Sequence, residues 1–421
     1  MKINNLKKYI PTINLALILF GYAFITTIFI PNSYDDNSVI ITRYVTLPLR
    51  LFILLVNLYV LVKNYERDKG FNKYIILLFI FFLLYLTVAV VYISVLETTV
   101  ERVYYNKNDY YFFIIGVTII PFLSVLYSYK KININMFYDI VIPMLFIALI
   151  ISVYSNQSLT KSVDLSNIRQ QGNKGLSTIE YGHMGVSFIL ISLYRGMNNK
   201  GQKIHKIFNI AGIMLGGYIM LKAGSRSPII SLLIAISAIA LNQNKKISIN
   251  IFVIIVMFVG LFLFYDDIVR FIGIISPIME KRINLLEQGD LNMRDVLLND
   301  AIKEFISSPL MGNDIVLHEG RSAGWYPHNI FIESFMVLGV FGGLIITILT
   351  VVTIMYSLYL LKYDKENSGL YGVLFLQQLV FSGVSGALHT SAVYFTLMVL
   401  ILMNGSYLKK KTKQLISNLT Y

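Results

Sequence analysis

The fold is decided by residues 74–96, which read YIILLFIFFLLYLTVAVVYISVL. This run contains no charged residue, and it lacks the period-2 alternation of a barrel strand. A bilayer hydrocarbon core about 30 Å thick needs roughly 20 apolar residues to be crossed by a helix. Residues 74–96 are therefore predicted to cross a membrane as an α-helix.

Similar runs recur along the chain of 421 residues, of which 56% are hydrophobic, with a mean hydropathy of +0.66. This composition excludes a soluble globular protein. The sequence predicts an all-α, polytopic protein with about twelve transmembrane helices, forming a single integral membrane domain over residues 1–421. The predicted spans cover residues 9–30, 43–62, 74–96, 110–129, 137–153, 181–196, 207–221, 228–244, 248–265, 329–361, 370–388 and 391–407.

The net charge of +13 is unevenly placed along the chain. Alternate connections between the predicted spans carry basic residues, including Lys7, Lys8, Lys63, Arg67, Lys130, Lys131, Lys203, Lys206, Lys245, Lys246, Lys409, Lys410 and Lys411. The same connections contain four acidic residues: Glu66, Asp68, Asp364 and Glu366. This positive-inside bias predicts a multi-pass membrane protein with both termini in the cytoplasm. Because the positive charge is explained in this way, nucleic-acid binding is not expected.

The chain has no cysteine, which excludes disulfides and thiol metal sites. Its histidines lack the spacing of metal ligands, so no metal is expected. The first apolar run follows basic residues and is about 22 residues long, which exceeds the core of a signal peptide. We therefore interpret it as a retained first span.

The longest predicted outer connection is residues 267–327, interpreted as a periplasmic loop that contains short amphipathic helices. Within it, Arg294–Ile306 is predicted to form an amphipathic helix that Ser308-Pro309 ends. Val296, Leu297, Ala301, Phe305 and Ile306 would lie near one face of that helix. This helix could take part in the function, or it could lie on the membrane surface as a lid with no chemistry of its own.

Span lengths point to two places where a site could lie. A helix over residues 329–361 would be about 50 Å long, so its first turns, with His328 and Glu333, should stand above the hydrocarbon. By contrast, the spans 207–221 and 228–241 are short, which should draw their connecting turn below the membrane surface. Paired short segments of this kind indicate a ligand site.

The connecting turn contains Gly224-Ser225-Arg226-Ser227-Pro228. Ser227 is predicted to cap the next helix and Pro228 to occupy its first position. The helix N-terminus, with Arg226 and Lys222, would then suit a phosphate or pyrophosphate group. The alternative is a capped turn from which Arg226 reaches the lipid headgroups.

A second candidate is the motif Pro327-His328-Asn329-Ile330-Phe331-Ile332-Glu333. A histidine at a loop-to-helix junction is suited to general base catalysis. Glu333 lies about 140° around a regular helix from His328, so we expect it to hold Asn329 instead. The alternative is that His328 only caps the helix.

Five further cationic or aromatic positions are candidates for substrate binding. Arg50 lies inside an apolar run, where a charge is costly and often functional, although it could also snorkel. Arg169, Arg294 and Arg321 lie in predicted outer loops, where ordinary solvated charges are the alternative. Tyr326 could stack on a sugar or could belong to an interfacial aromatic belt.

Several of these motifs together resemble a known family. Arg294 at the head of a helix, Ser308-Pro309-Leu310-Met311-Gly312, and the motif of residues 327–333 followed by Gly339 and Gly342 are similar to the shared domain of O-antigen ligases and polymerases. The turn Ser225-Arg226-Ser227-Pro228 resembles the upstream arginine motif of that family. The resemblance covers about residues 205–360 and points to C-type glycosyltransferases, which use polyprenyl-linked sugars.

The resemblance implies transfer of a glycan from undecaprenyl pyrophosphate to an acceptor hydroxyl at the outer, periplasmic face of the cell inner membrane. This reaction belongs to lipopolysaccharide or related polysaccharide biosynthesis. Arg226 would bind the leaving pyrophosphate, with Lys222, Ser225 and Ser227 around it. His328 would lie beside the acceptor, with Asn329 and Glu333 nearby and residues 267–327 as a lid. The implied partners are the lipid-linked oligosaccharide, the acceptor glycan, membrane lipids and a chain-length regulator protein. No metal or cofactor is implied.

Two alternatives to a polymerase remain at the level of sequence. A ligase would use the same donor but transfer the glycan to the lipid A core. A flippase or other transporter for lipid-linked oligosaccharides should carry charges through the middle of several helices and have short outer loops. Scarce mid-span charges and one long outer connection favour the transferase.

Overall fold

The computed structural model describes residues 3–30, 38–65, 71–97, 107–160, 176–198, 203–243, 265–287, 293–318 and 322–419. Within these ranges the chain is helical and has no β-strand, which confirms the predicted all-α class. The α-helices, numbered α1 to α16 in order, are Ile3–Ala16, Tyr22–Phe29, Ser38–Asn64, Lys73–Val90, Lys107–Tyr111, Ile120–Ser128, Ile134–Thr160, Thr178–Asn198, Lys203–Lys222, Arg226–Gln243, Tyr265–Ile275, Pro277–Glu287, Met293–Ser307, Ile330–Tyr363, Gly369–Val384 and Ala392–Leu419. π-Helical turns Leu17–Gly21, Val91–Val95 and Phe112–Ile119 continue several of these helices.

Among the described residues, seven helical segments are long and apolar enough to cross a membrane. They are Tyr9–Phe29, Tyr44–Asn64, Lys73–Val95, Asn108–Lys131, Ile134–Ser155, Ile330–Tyr363 and Ala392–Thr412. Two shorter apolar helices, Arg226–Asn242 and Gly369–Val384, lie at two further predicted spans. The predicted span 248–265 falls almost entirely outside the described residues. The chain is thus a membrane protein by helix length and composition, while the number of twelve spans stays a prediction.

The chain divides into two compact units. The first comprises Met1–Val56, Lys131–Asp290 and Leu361–Phe381, and the second comprises Asn57–Lys130, Leu291–Leu360 and Ser382–Tyr421. The predicted loop 267–327 supplies α11 and α12 to the first unit and α13 to the second.

In the first unit, glycines allow α8 and α9 to pack closely. A Cβ added to Gly185 would lie 2.7 Å from the carbonyl oxygen of Gly216, and one added to Gly216 would lie 2.5 Å from that of Gly185. Small residues at a helix–helix contact allow such backbone approach, which favours association in membranes. α9 begins at Lys203 and is longer than the predicted short span 207–221.

In the second unit, the sequence predicts a regular helix over residues 329–361. This prediction is wrong in one respect, because α14 is broken at Gly339. This glycine has φ 61° and ψ −162°, a backbone conformation that is essentially restricted to glycine. The segment after α13 fills the break: the Val340 N–H donates to the Pro309 oxygen at 2.8 Å, and the Asn313 N–H donates to the Met336 oxygen at 2.8 Å. Irregular backbone in a membrane protein needs such internal partners.

The helix predicted in the long connection is confirmed as α13, Met293–Ser307, but its predicted apolar face is only partly buried. Its residues Leu297 and Ala301 are buried, whereas Val296 and Ile306 are exposed. Phe305 contacts Phe335 of α14 at 5.6 Å between ring centroids, so the helix packs against the first half of α14. These contacts place the segment that leads to His328.

Candidate functional site

The backbone at His328 is held in an unusual conformation. His328 has φ 56°, in the left-handed region that few residues other than glycine adopt. Asn329 follows as the cap of α14, because its Oδ1 accepts from the N–H groups of Phe331 at 3.0 Å and Ile332 at 3.2 Å. The capping role considered for His328 therefore belongs to Asn329.

Two aromatic rings lie close to the half-buried imidazole of His328. The ring of Tyr326 lies 4.3 Å away between centroids, and the ring of Trp325 lies 6.2 Å away. Contacts at these separations are typical of paired aromatic rings in proteins. The imidazole is thus oriented by its neighbours.

The expectation that the Glu333 side chain holds Asn329 is wrong. The Glu333 side chain is buried, and its Oε2 accepts from the Leu388 N–H at 2.9 Å. Its Oε1 lies 4.0 Å from Nδ1 of His389. As the helix cap, Asn329 directs its amide oxygen toward the N–H groups of α14. The Glu333 carboxylate instead binds the turn around residue 388.

His389 is a residue that sequence reasoning missed. It lies in the 3₁₀ turn Leu388–Thr390 and is 1% exposed. The Thr118 hydroxyl donates to its backbone oxygen at 2.7 Å, and its ring lies 5.4 Å from that of Tyr326. Its role depends on tertiary contacts, and a histidine after an apolar run carries no local motif that could have revealed it.

Carboxylates hold the polar segment between α13 and His328. Glu304 accepts from the His318 N–H at 3.0 Å and from the side chain of Asn313. Asp300 accepts from the Ser322 hydroxyl, and Asp314 pairs with the His318 imidazole at 3.2 Å. This part of the predicted lid is therefore tied to α13.

The arginine turn lies in the first unit, between α9 and α10. Gly224 has φ 60° and its N–H donates to the Leu221 oxygen at 3.1 Å, which ends α9. α10 begins at Arg226, one residue before the predicted cap. Ser227 is therefore inside the first turn, and the prediction that it caps the helix with Pro228 at the first position is wrong.

Ser227 instead contacts His183 of α8. Its Oγ lies 3.2 Å from Nε2 of His183, and Ser231 Oγ lies 3.5 Å from Nδ1. A Cβ added to the neighbouring Gly182 would lie 2.6 Å from Cγ of Pro228. The start of α10 is thus packed directly on α8.

The cationic side chains of this turn differ in their surroundings. Arg226 is half-exposed and Ser225 is buried. Lys222 Nζ lies 5.8 Å from the Tyr218 ring centroid, a cation–π contact in the last turn of α9. Arg226 at a helix N-terminus, beside Lys222, has the chemistry to bind an anion such as a phosphate.

Arg50 has structural neighbours in the first unit. Its guanidinium lies 4.9 Å from the Tyr22 ring centroid, and it interacts electrostatically with the Glu180 carboxylate. Glu180 also accepts from the Ser177 N–H at 2.7 Å, as in a capping box at the start of α8. These contacts account for Arg50 without a substrate, and its predicted binding role stays a prediction.

The remaining predicted positions are Arg169, Arg294 and Arg321. Arg294 is exposed in the first turn of α13. Arg169 and Arg321 lie outside the described residues.

Comparison with known proteins returned no match, either to a protein-family model or to a curated protein.

Proposed function

We propose that this protein is a membrane glycosyltransferase of the O-antigen polymerase type. It would transfer a glycan from undecaprenyl pyrophosphate to a sugar hydroxyl of another lipid-linked repeat unit, at the periplasmic face of the inner membrane. The observation that carries the proposal is the constrained position of His328, close to two aromatic rings and directly before a capped helix. A positioned imidazole is the group that acceptor activation needs.

The donor end of the reaction is assigned to the arginine turn. When the anomeric C–O bond breaks, the sugar passes through an oxocarbenium-like state and the bond electrons stay with the pyrophosphate. Fixed cations stabilise the developing negative charge, and a guanidinium can engage two phosphate oxygens. Arg226, with Lys222 in the preceding turn, supplies this chemistry.

The acceptor end is assigned to His328. The acceptor oxygen forms the new bond to the anomeric carbon, and its proton passes to a base while undecaprenyl pyrophosphate leaves. His328 would either take this proton or orient the hydroxyl through a hydrogen bond.

The proposal includes the twelve-span topology, cytoplasmic termini and a periplasmic loop over residues 267–327. This topology follows from the positive-inside pattern of the sequence. A transporter is less well supported, because Arg50, Asp139 and Glu333 lie within about two turns of a span end rather than in mid-membrane.

The test is the surface glycan profile of a strain that lacks the gene. If the protein is a polymerase, the strain that lacks it should carry single repeat units attached to the lipid A core. A ligase, the second candidate, predicts polymer that stays on its lipid carrier. Repeat units that accumulate without reaching the periplasm would contradict both and would favour a transporter.

A further inference from the structure

Three rings form a continuous series at the start of α14. The Tyr326 ring contacts the rings of both His328, at 4.3 Å between centroids, and His389, at 5.4 Å with an interplanar angle of 82°. His389 is buried, whereas Tyr326 and His328 are half-buried. The orientation of the His328 imidazole is therefore supported, through Tyr326, by the buried ring of His389.

The inner end of this series is fixed by three contacts. The Thr118 hydroxyl donates to the His389 oxygen at 2.7 Å, and the Tyr110 ring lies 5.3 Å from the His389 ring. Glu333 Oε2 accepts from the Leu388 N–H at 2.9 Å. Because Glu333 lies in the first turn of α14, its carboxylate ties the turn 388–390 to the helix that follows His328.

We propose that His389 is a positioning residue for His328, acting through the ring of Tyr326, with Glu333 anchoring the turn that carries it. The proposal rests on the proposed function in so far as activity is the measurement. The aromatic ring of His389 is the feature that matters, since it packs edge to face with the Tyr326 ring. A displacement of about 1 Å at a reacting group can lower turnover by about 10²-fold.

The activity test is a double-mutant cycle on the purified protein in lipid. His389→Ala should lower kcat by roughly 10- to 100-fold and leave the KM for the lipid-linked donor unchanged. His389→Phe, which keeps an aromatic ring next to Tyr326, should retain most of the activity. In a His328→Ala background, His389→Ala should have no further effect, because its action passes through His328.

Two outcomes overturn the proposal. An equal loss from His389→Ala with and without His328 would show a general structural role. Loss of activity in His389→Phe equal to that in His389→Ala would show that the aromatic ring is not the operative feature. His205→Ala, at the first turn of α9, is the matched histidine control and should behave as wild type.

A second readout does not need transferase activity. The rate at which diethyl pyrocarbonate modifies His328, followed by peptide mass spectrometry, reports the surroundings of its imidazole. The rate should change several-fold in His389→Ala and stay at the wild-type value in His389→Phe and His205→Ala. An unchanged rate in His389→Ala contradicts positioning even if polymer formation is never observed, whereas a wild-type protein without transferase activity contradicts only the proposed function.

Discussion

At the scale of single residues, the left-handed backbone of His328 and its imidazole side chain can be tested independently by substitution. Its φ of 56° is tolerated better by asparagine than by most residues. The helix cap next to it belongs to Asn329, so removal of the imidazole leaves the start of α14 intact. A change to asparagine therefore tests the imidazole rather than the fold.

Arg226 gives the prediction for the donor site. Arg226→Ala should abolish or severely reduce polymer formation while the amount of protein in the membrane stays normal. Arg226→Lys should restore it only in part, because one ammonium cannot reproduce the two-point contact of a guanidinium. The measurement is polymer on a gel beside an immunoblot, and full activity in Arg226→Ala would leave only the headgroup-anchor role.

At the scale of elements, the break in α14 depends on Gly339. A side chain there would overlap the Leu310 oxygen, and the glycine-type conformation costs other residues roughly 1–3 kcal/mol. Gly339→Ala should therefore lower the thermal unfolding temperature of the purified protein and reduce activity. Gly383→Ala is the control, since a Cβ at Gly383 meets no atom within 4 Å, and an equal loss there would contradict this account of the break.

The packing of α8 on α9 gives a second test with adjacent positions. A Cβ at Gly216 meets the Gly185 oxygen at 2.5 Å, whereas a Cβ at Gly217 meets no atom within 4 Å. Gly216→Ala should destabilise the protein, and Gly217→Ala should be neutral or stabilise it by up to about 1 kcal/mol through helix propensity. Unfolding temperatures measured in one detergent would check this, and equal values would contradict the close contact.

Sequence reasoning found the helices and the two motifs because apolar runs and turn residues are local signals. It did not find the break at Gly339, because a glycine in an apolar run is compatible with a helix and its partner, Pro309, is distant in sequence. It missed His389 and misassigned Glu333 for the same reason, since both interact with residues far along the chain. The start of α10 was misplaced by one or two residues, which is the usual uncertainty of a helix end.

At the scale of the whole molecule, the prediction concerns topology. Reporter fusions at Asn199 and Lys410 should report the cytoplasm, and fusions at Asn173 and near Asp290 should report the periplasm. Basic residues at the connections of residues 199 and 410 are the physical reason. A C-terminus on the outer side would contradict the topology and the periplasmic location of the proposed site.

The central claim is that the protein joins lipid-linked repeat units and that the imidazole of His328 takes part. The most direct measurement is polymer length on a gel after incubation of the purified protein, in lipid and without added metal, with polyprenyl-linked repeat units. Wild type should give a ladder, and His328→Ala and His328→Asn should both lower turnover by about 10²–10⁴-fold, with donor binding retained. An active His328→Asn variant would contradict the role of the imidazole, and the absence of any ladder from wild type would contradict the proposed polymerase.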